Sequence, residues 1–238
     1  MDQHFTPRAA QARLAAAEID EGLRSYMLSV YNYMGLALAL TGLTAYVVAL
    51  SPSAMALIFG TPLKWVVMLA PLGFVFYLSA RIHKMSLSAA QLTFWAFAVV
   101  MGLSLASIFY VFTGTSIARV FFITAATFGA MSLYGYTTKR DLTAWGSFLF
   151  MGLIGIIVAG LVNIFLMSSG LQFLISIVGV GIFVGLTAYD TQAIKEEYYA
   201  YDSPEVATRK AIYGALRLYL DFINLFIMLL QLFGQQRD

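Results

Sequence analysis

An all-α integral membrane protein of seven spans, the seventh enclosed by the other six, follows from three features of this sequence. The chain of 238 residues is 61% hydrophobic and only 11% charged, against about 25% charged in an ordinary soluble domain. Its mean hydropathy is +0.81, and apolar runs of about 18 residues or more, long enough to cross a bilayer, recur along it. The last run, 211–233, gathers its polar residues on one helical face. Such a face must turn toward protein or water rather than lipid.

The spans are read as 27–50, 65–82, 89–112, 117–136, 145–167, 171–192 and 211–233. At a rise of about 1.5 Å per residue each covers a hydrocarbon core of roughly 30 Å, some with tilt. Backbone groups in lipid must be satisfied within the segment, and the alternation of barrel strands is absent, so the spans are helices. Turn signals separate them: Ser51-Pro52, Thr61-Pro62, Thr113-Gly114, Ser169-Gly170 and Ser203-Pro204. Pro71 inside the second span predicts a kink there. Residues 1–26 form a polar, Ala-rich tail with a short surface helix expected over 11–24, and 234–238 a short C-terminal tail. The first apolar run begins too late, and is too long, for a cleaved signal peptide.

Orientation follows from Lys and Arg in alternate connections. One side carries ten: Arg8, Arg13 and Arg24 in the tail, Arg81 and Lys84, Lys139 and Arg140, then Lys195, Arg209 and Lys210. The other carries three, Lys64, Arg119 and Arg237, and the last of the 14 is Arg217 inside the seventh span. The N-terminus is therefore expected in the cytoplasm and the C-terminus outside. Trp65, Trp145, Tyr134, Tyr136, Tyr189, Tyr198, Tyr199 and Tyr201, near span ends, fit interfacial belts. Gly181 and Gly185 make a GxxxG step on the sixth span, with Gly179 nearby.

Composition also excludes chemistry. With no cysteine there is no disulfide, thiolate metal site or Cys nucleophile. The two histidines, His4 and His83, lie outside the spans, which removes a His-based zinc or haem site within the membrane. No motif for nucleic acid or dinucleotides is present, and the seventh span has no central Lys for a retinal Schiff base.

What remains is carboxylate chemistry. Asp221 sits in the middle of the seventh span, where a charged side chain costs roughly 2.5–3.5 kcal/mol on insertion scales. The only other acidic residue within a span is Asp190, near the end of the sixth. On the seventh span Lys210, Gly214, Arg217, Asp221, Asn224, Met228 and Gln231 recur at steps of four and three, one stripe of a helix. Arg217 and Asp221, four apart, have the spacing of a local ion pair. Counted from the span ends, Asp190 and Asp221 differ in depth by about 10 Å, a gap that tilt and shifted span ends can narrow. Two carboxylates in contact in low dielectric cannot both ionise freely, so the pair would share a proton; its loss adds a repulsion relieved by separation, a basic partner or a cation. The same oxygens suit Ca²⁺, with Asn224 and Thr191, and Asn32 or Asn163 if their helices pack close, in support. Arg81, ending the second span near the expected depth of Asp190, is a candidate latch on the pair.

Tyr189-Asp190-Thr191-Gln192 with Ile194-Lys195, followed by Ala215-Leu216-x-Leu218-Tyr219-Leu220-Asp221-x-Ile223-Asn224-Leu225-Phe226, resembles the Bax inhibitor-1 family, and more its bacterial branch than the eukaryotic one. Span order and lengths agree over residues 24–234. The resemblance implies a seventh helix surrounded by six, a pH-sensing pair at Asp190 and Asp221, a latch at Arg81, and a pH-dependent Ca²⁺ leak in a bacterial inner membrane. It equally implies the alternative of a non-transporting regulator bound to a membrane protease or another membrane protein. An enzyme is not expected: intramembrane aspartyl proteases carry Gly-x-Gly-Asp, and here Leu218-Tyr219-Leu220 precedes Asp221.

Overall fold

The computed structural model describes residues 7–237, with side chains for 19–237. His4, and the side chains of Arg8, Arg13 and Glu18, lie outside the described residues. The described chain is helical: α1 (Pro7–Ala49), α2 (Pro52–Phe59), α3 (Leu63–Arg81) with a 3-10 turn at Ile82–Lys84, α4 (Leu87–Leu105), α5 (Ile108–Val111), α6 (Gly114–Thr137), α7 (Thr143–Leu166), α8 (Ser169–Glu196) and α9 (Pro204–Phe233). Seven stretches are long and apolar enough to cross a membrane, on α1, α3, α4–α5, α6, α7, α8 and α9. They are the seven expected spans, most of them extended outward at one or both ends.

Three of the five turn signals, at Ser51, Thr113 and Ser203, become helix caps, and Ser168, just before a fourth, caps α8. The hydroxyls of Ser51, Ser86, Thr113, Ser168 and Ser203 each accept the backbone N–H three residues on, and Pro52 and Pro204 open α2 and α9 at positions whose N–H would be unpaired anyway. Four details depart from the sequence reading. The surface helix of the tail is continuous with the first span as α1. The connection after that span folds into α2, whose Met55 and Ile58 are buried. The third span breaks after Leu105 before resuming as α5. The C-terminal tail is pinned: Thr113 N–H donates to Gln235 O, Arg237 N–H to Val111 O and Gln235 N–H to the Ser116 hydroxyl. Helix α3 continues through Pro71.

Helix α9 is the centre. Of its most apolar stretch 56% is buried, against 11% for the peripheral α7. It packs on α8, α1, α6 and α4 and touches α3, while α7 joins the bundle through α8. Tyr219 on α9 is fully buried beside Phe97, ring centroids 5.1 Å apart. Its hydroxyl lies 2.7 Å from Thr41 Oγ1, whose own proton goes to Ala98 O at 2.8 Å, so Tyr219 is the donor and α1, α4 and α9 are tied at one point. Phe222 packs edge-on against Phe121 and Phe128 of α6.

Small residues set the close approaches around α8. Gly135 of α6 lies on the backbone of Ala188, Gly146 of α7 on the Tyr189 ring, and Gly185 takes Leu149 of α7. The GxxxG step is not one contact, since Gly181 faces open space and Gly179 takes Met228 of α9. Nor are Tyr189 and Tyr198 belt residues: one packs on α7, the other on Gly22 and Tyr26 of α1. Trp65, Trp145, Tyr199 and Tyr201 are exposed as expected. A methyl group at Gly135 would collide with main chain that cannot yield. Gly135→Ala is therefore expected to lower stability by about 1–3 kcal/mol, and Gly155→Ala, which enters open space on α7, to leave it unchanged or slightly raised. Thermal unfolding of both variants in detergent checks this.

Candidate functional site

The antiparallel register of α8 against α9 brings the site together. Ser176 meets Gln231 at 2.8 Å, Gly179 meets Met228 and Ile194 meets Gly214. In that constant register Asp190 stands level with Arg217, one helical turn, about 5.4 Å, from Asp221. The gap counted from the span ends narrows to that one turn because the outer ends are offset: in this register Phe233, where α9 ends, stands level with Leu174, inside the start of α8 at Ser169. Only residues 197–203 remain as link, held by Lys210, which donates to Asp202 at 2.6 Å and to Glu197 O at 3.1 Å.

Arg217 forks between two acceptors: Nη2 to Asp190 Oδ1 at 2.6 Å and Nη1 to Glu197 Oε1 at 3.0 Å. It makes no salt bridge to Asp221, so the local ion pair that the four-residue spacing permits is not formed. Helical side chains lean toward the helix N-terminus. That lean carries Arg217 away from Asp221 and toward the end of α8, while it carries Asp221 toward the level of Asp190. The side chains of Arg217, Asp190 and Glu197 are 21%, 13% and 38% exposed, a gradient from the interior toward water.

Asp221 is buried. One of its oxygens, Oδ2, has no hydrogen-bond partner among the described residues. Both aspartates line a cavity of about 920 Å³ between α3 and α7 on one side and α8 and α9 on the other. It extends along α8 from Gln172 to Asp190, about 27 Å at the helical rise, nearly the depth of a bilayer core. Its walls are mostly apolar (Leu72, Phe150, Leu153, Ile156 and Phe183), with Ser147, Gln172 and Asn224 as uncharged polar points.

The stripe on α9 is thus well read: Arg217, Asp221, Asn224 and Met228 face the cavity, Gln231 bonds Gln172 and Ser176, and Lys210 closes the link. Asn224 donates to Leu220 O at 2.8 Å and keeps its carbonyl for the cavity. Thr191 does not support the pair. One residue beyond Asp190 it points to α6, donating to Thr187 O at 2.7 Å and lying 3.0 Å from the Ser132 hydroxyl. Arg81 ends α3 exposed, forms no salt bridge among the described residues and is absent from the cavity wall. The cation seated on Asp190 is Arg217. Asn32 is exposed, and Asn163 is engaged with Gln172 and Ser168 far along α8.

Two participants escaped the sequence reading. Glu197 follows Asp190 by seven residues, two turns on the same helical face, a spacing visible in the sequence. Gln192 clamps the connection before α7, accepting from Leu142 N–H and donating to Arg140 O, each at 2.8 Å. No three His, Cys, Asp or Glu side chains among the described residues gather to hold a metal ion. As a resident Ca²⁺ site the donor set does not fit: Ca²⁺ takes about six to eight oxygens, and the guanidinium already holds one of the two carboxylates.

Comparison with known proteins agrees with the motifs. The family model described as Inhibitor of apoptosis-promoting Bax1 matches residues 23–238. An uncharacterized protein of Rickettsia prowazekii is 51% identical over 219 residues, covering 92% of this chain and 93% of its own. The inner membrane protein YbhL of Escherichia coli K12 is 47% identical over 219 residues, covering 91% and 94%. An uncharacterized protein of Caulobacter vibrioides is 43% identical over 241 residues, covering 97% and 96%. With its seven spans and the paired motifs on α8 and α9, the chain belongs to the Bax inhibitor-1 family.

Proposed function

We propose that this protein is a proton-gated leak for Ca²⁺, with Asp190 and Asp221 as the sensing pair and Arg217 as the latch. The observation that carries the reading is the orphaned Oδ2 of Asp221. A buried carboxyl oxygen without a partner is unfavourable by about 1–3 kcal/mol, and a proton held between Asp221 and Asp190 removes that penalty. With the proton in place the two helices are joined at the inner end of the crevice. Loss of the proton sets two carboxylates against each other with one guanidinium to share. Arg217 is already divided between Asp190 and Glu197, so separation of α8 from α9 relieves the repulsion and opens the crevice wall. Ca²⁺ is the permeant ion, meeting carboxylate oxygens and the Asn224 carbonyl in passing rather than residing there.

The reading is non-enzymatic, because an aspartyl dyad acting on a peptide needs both carboxyls free for water and substrate. The inner membrane is the proposed location, supported by the name of the Escherichia coli relative, with the N-terminus in the cytoplasm and the C-terminus outside, supported by the distribution of Lys and Arg.

The test is Ca²⁺ entry into liposomes carrying a trapped dye, with pH varied from acid to neutral. Influx is expected to exceed that of empty vesicles and to rise as the pair loses its proton. Influx equal to empty vesicles at every pH would overturn the proposal.

A further inference from the structure

A second built cavity lies on the other side of the bundle, and nothing in the leak mechanism uses it. Helices α1 and α6 both rest on α8 and α9 and leave between them a groove of about 510 Å³, within the range of small-ligand pockets, roughly 300–1,000 Å³. It occupies the half of the bundle nearest the α8–α9 link, since α1 enters and α6 leaves at that end. Arg24 and Tyr136 stand at its mouth, and Met27, Leu28, Phe128 and Leu133 line it inward.

The polarity of the groove is graded. Arg24 is exposed and forms no salt bridge among the described residues, although Asp20 and Glu21 stand one turn before it. Lys195 does not line the groove but adds positive charge beside Tyr136, donating to Tyr136 O at 2.9 Å with its ammonium 5.7 Å from that ring's centroid. Deeper in, the only polar groups are the hydroxyls of Tyr31 and Ser132, and their protons are already committed. Thr191 donates to Thr187 O, so Ser132 donates to Thr191 and Tyr31 to Ser132, at 3.0 and 2.6 Å. No hydroxyl donor is left for water or an anion inside. A cationic mouth over an apolar, donor-free interior, opening sideways between two spanning helices, has the chemistry of an amphiphile with a negative head.

We propose that this groove binds one anionic glycerophospholipid, its phosphate at Arg24 and an acyl chain between α1 and α6 along Gly129. The absent side chain of Gly129 is what keeps the groove open, because a Cβ there would meet nothing within 4 Å. Lipid bound here bridges the first span to α6, whose Ser132 holds Thr191 one residue from Asp190, so occupancy stiffens the support of α8 without entering the crevice.

The test is native mass spectrometry of the full chain released from micelles of mixed phosphatidylglycerol and phosphatidylcholine. Wild type is expected to keep phosphatidylglycerol severalfold over phosphatidylcholine. Gly129→Leu, whose Cβ meets nothing within 4 Å, puts an apolar side chain at the groove and favours helix, and is expected to lose the bound lipid. Arg24→Gln, at an exposed position that does not threaten folding, is expected to lose the preference for the anionic head. Gly155→Leu, in open space on α7, is expected to retain both. Equal retention of the two lipids by wild type, or unchanged retention in Gly129→Leu, overturns the proposal. So does a dimer that Gly129→Leu breaks, which would place a second copy in the groove.

Discussion

Arg217→Leu is expected to destabilise the protein by about 3–5 kcal/mol, the scale for removing one partner of a buried ion pair. The substitution leaves the Asp190 carboxylate without its counter-charge in low-dielectric surroundings. Glu197 loses the same partner at little cost, being more than a third exposed. Replacing both partners by apolar groups removes the uncompensated charge, so Asp190→Leu with Arg217→Leu is expected to recover most of the loss. Arg217→Lys should fall between. An ammonium keeps the charge but lacks the planar fork that reaches Asp190 and Glu197 together. Unfolding of the four proteins in mixed micelles checks the order. If Arg217→Leu is as stable as wild type, Arg217 is not the group that compensates Asp190.

Much of this fold is written in the sequence because lipid leaves the chain few choices. Backbone satisfaction forces helices, span length fixes their number, and the stripe from Lys210 to Gln231 identifies α9 as the enclosed helix before any contact is known. The aspartates are legible for a related reason, since carboxylates at membrane depth are tolerated only where protein or water receives them. The partner of Asp190 is not legible in the same way. Spacing along α9 offers Asp221 to Arg217, whereas the actual choice depends on how α8 and α9 slide past each other. That register is fixed by the short link 197–203 and by glycines such as Gly179 and Gly214 that seat Met228 and Ile194. Thr191 fails for the complementary reason. Adjacent to Asp190 in sequence, it points about 100° away around the helix, toward α6. Helix α2 is too short for a hydropathy window, and its only local sign is the Ser51-Pro52 cap.

The two aspartates are expected to behave differently when neutralised, and that contrast tests the gate most directly. Asp221→Asn keeps the shape of the side chain and turns it into a permanent donor, able to give Asp190 the hydrogen bond that the proposed shared proton would supply. It leaves the bond from Arg217 to Asp190 untouched. Its stability should therefore equal or exceed that of wild type, and its Ca²⁺ influx should be low and flat across pH. Asp190→Asn removes the charged acceptor of the 2.6 Å bond from Arg217 and leaves the guanidinium to Glu197 alone. That variant should be destabilised in the same sense as Arg217→Leu, with influx that no longer reports the protonation of a pair. Liposome flux and micellar unfolding on the same two preparations separate the cases. Retention of the wild-type pH response by Asp221→Asn would remove Asp221 from the gate, whatever its effect on stability. A flat response in Asp190→Asn alone would place the titrating group on α8 and reduce Asp221 to a neutral neighbour. Only a flat response in both, with stability lost in one, is what a proton shared across α8 and α9 and latched by Arg217 produces.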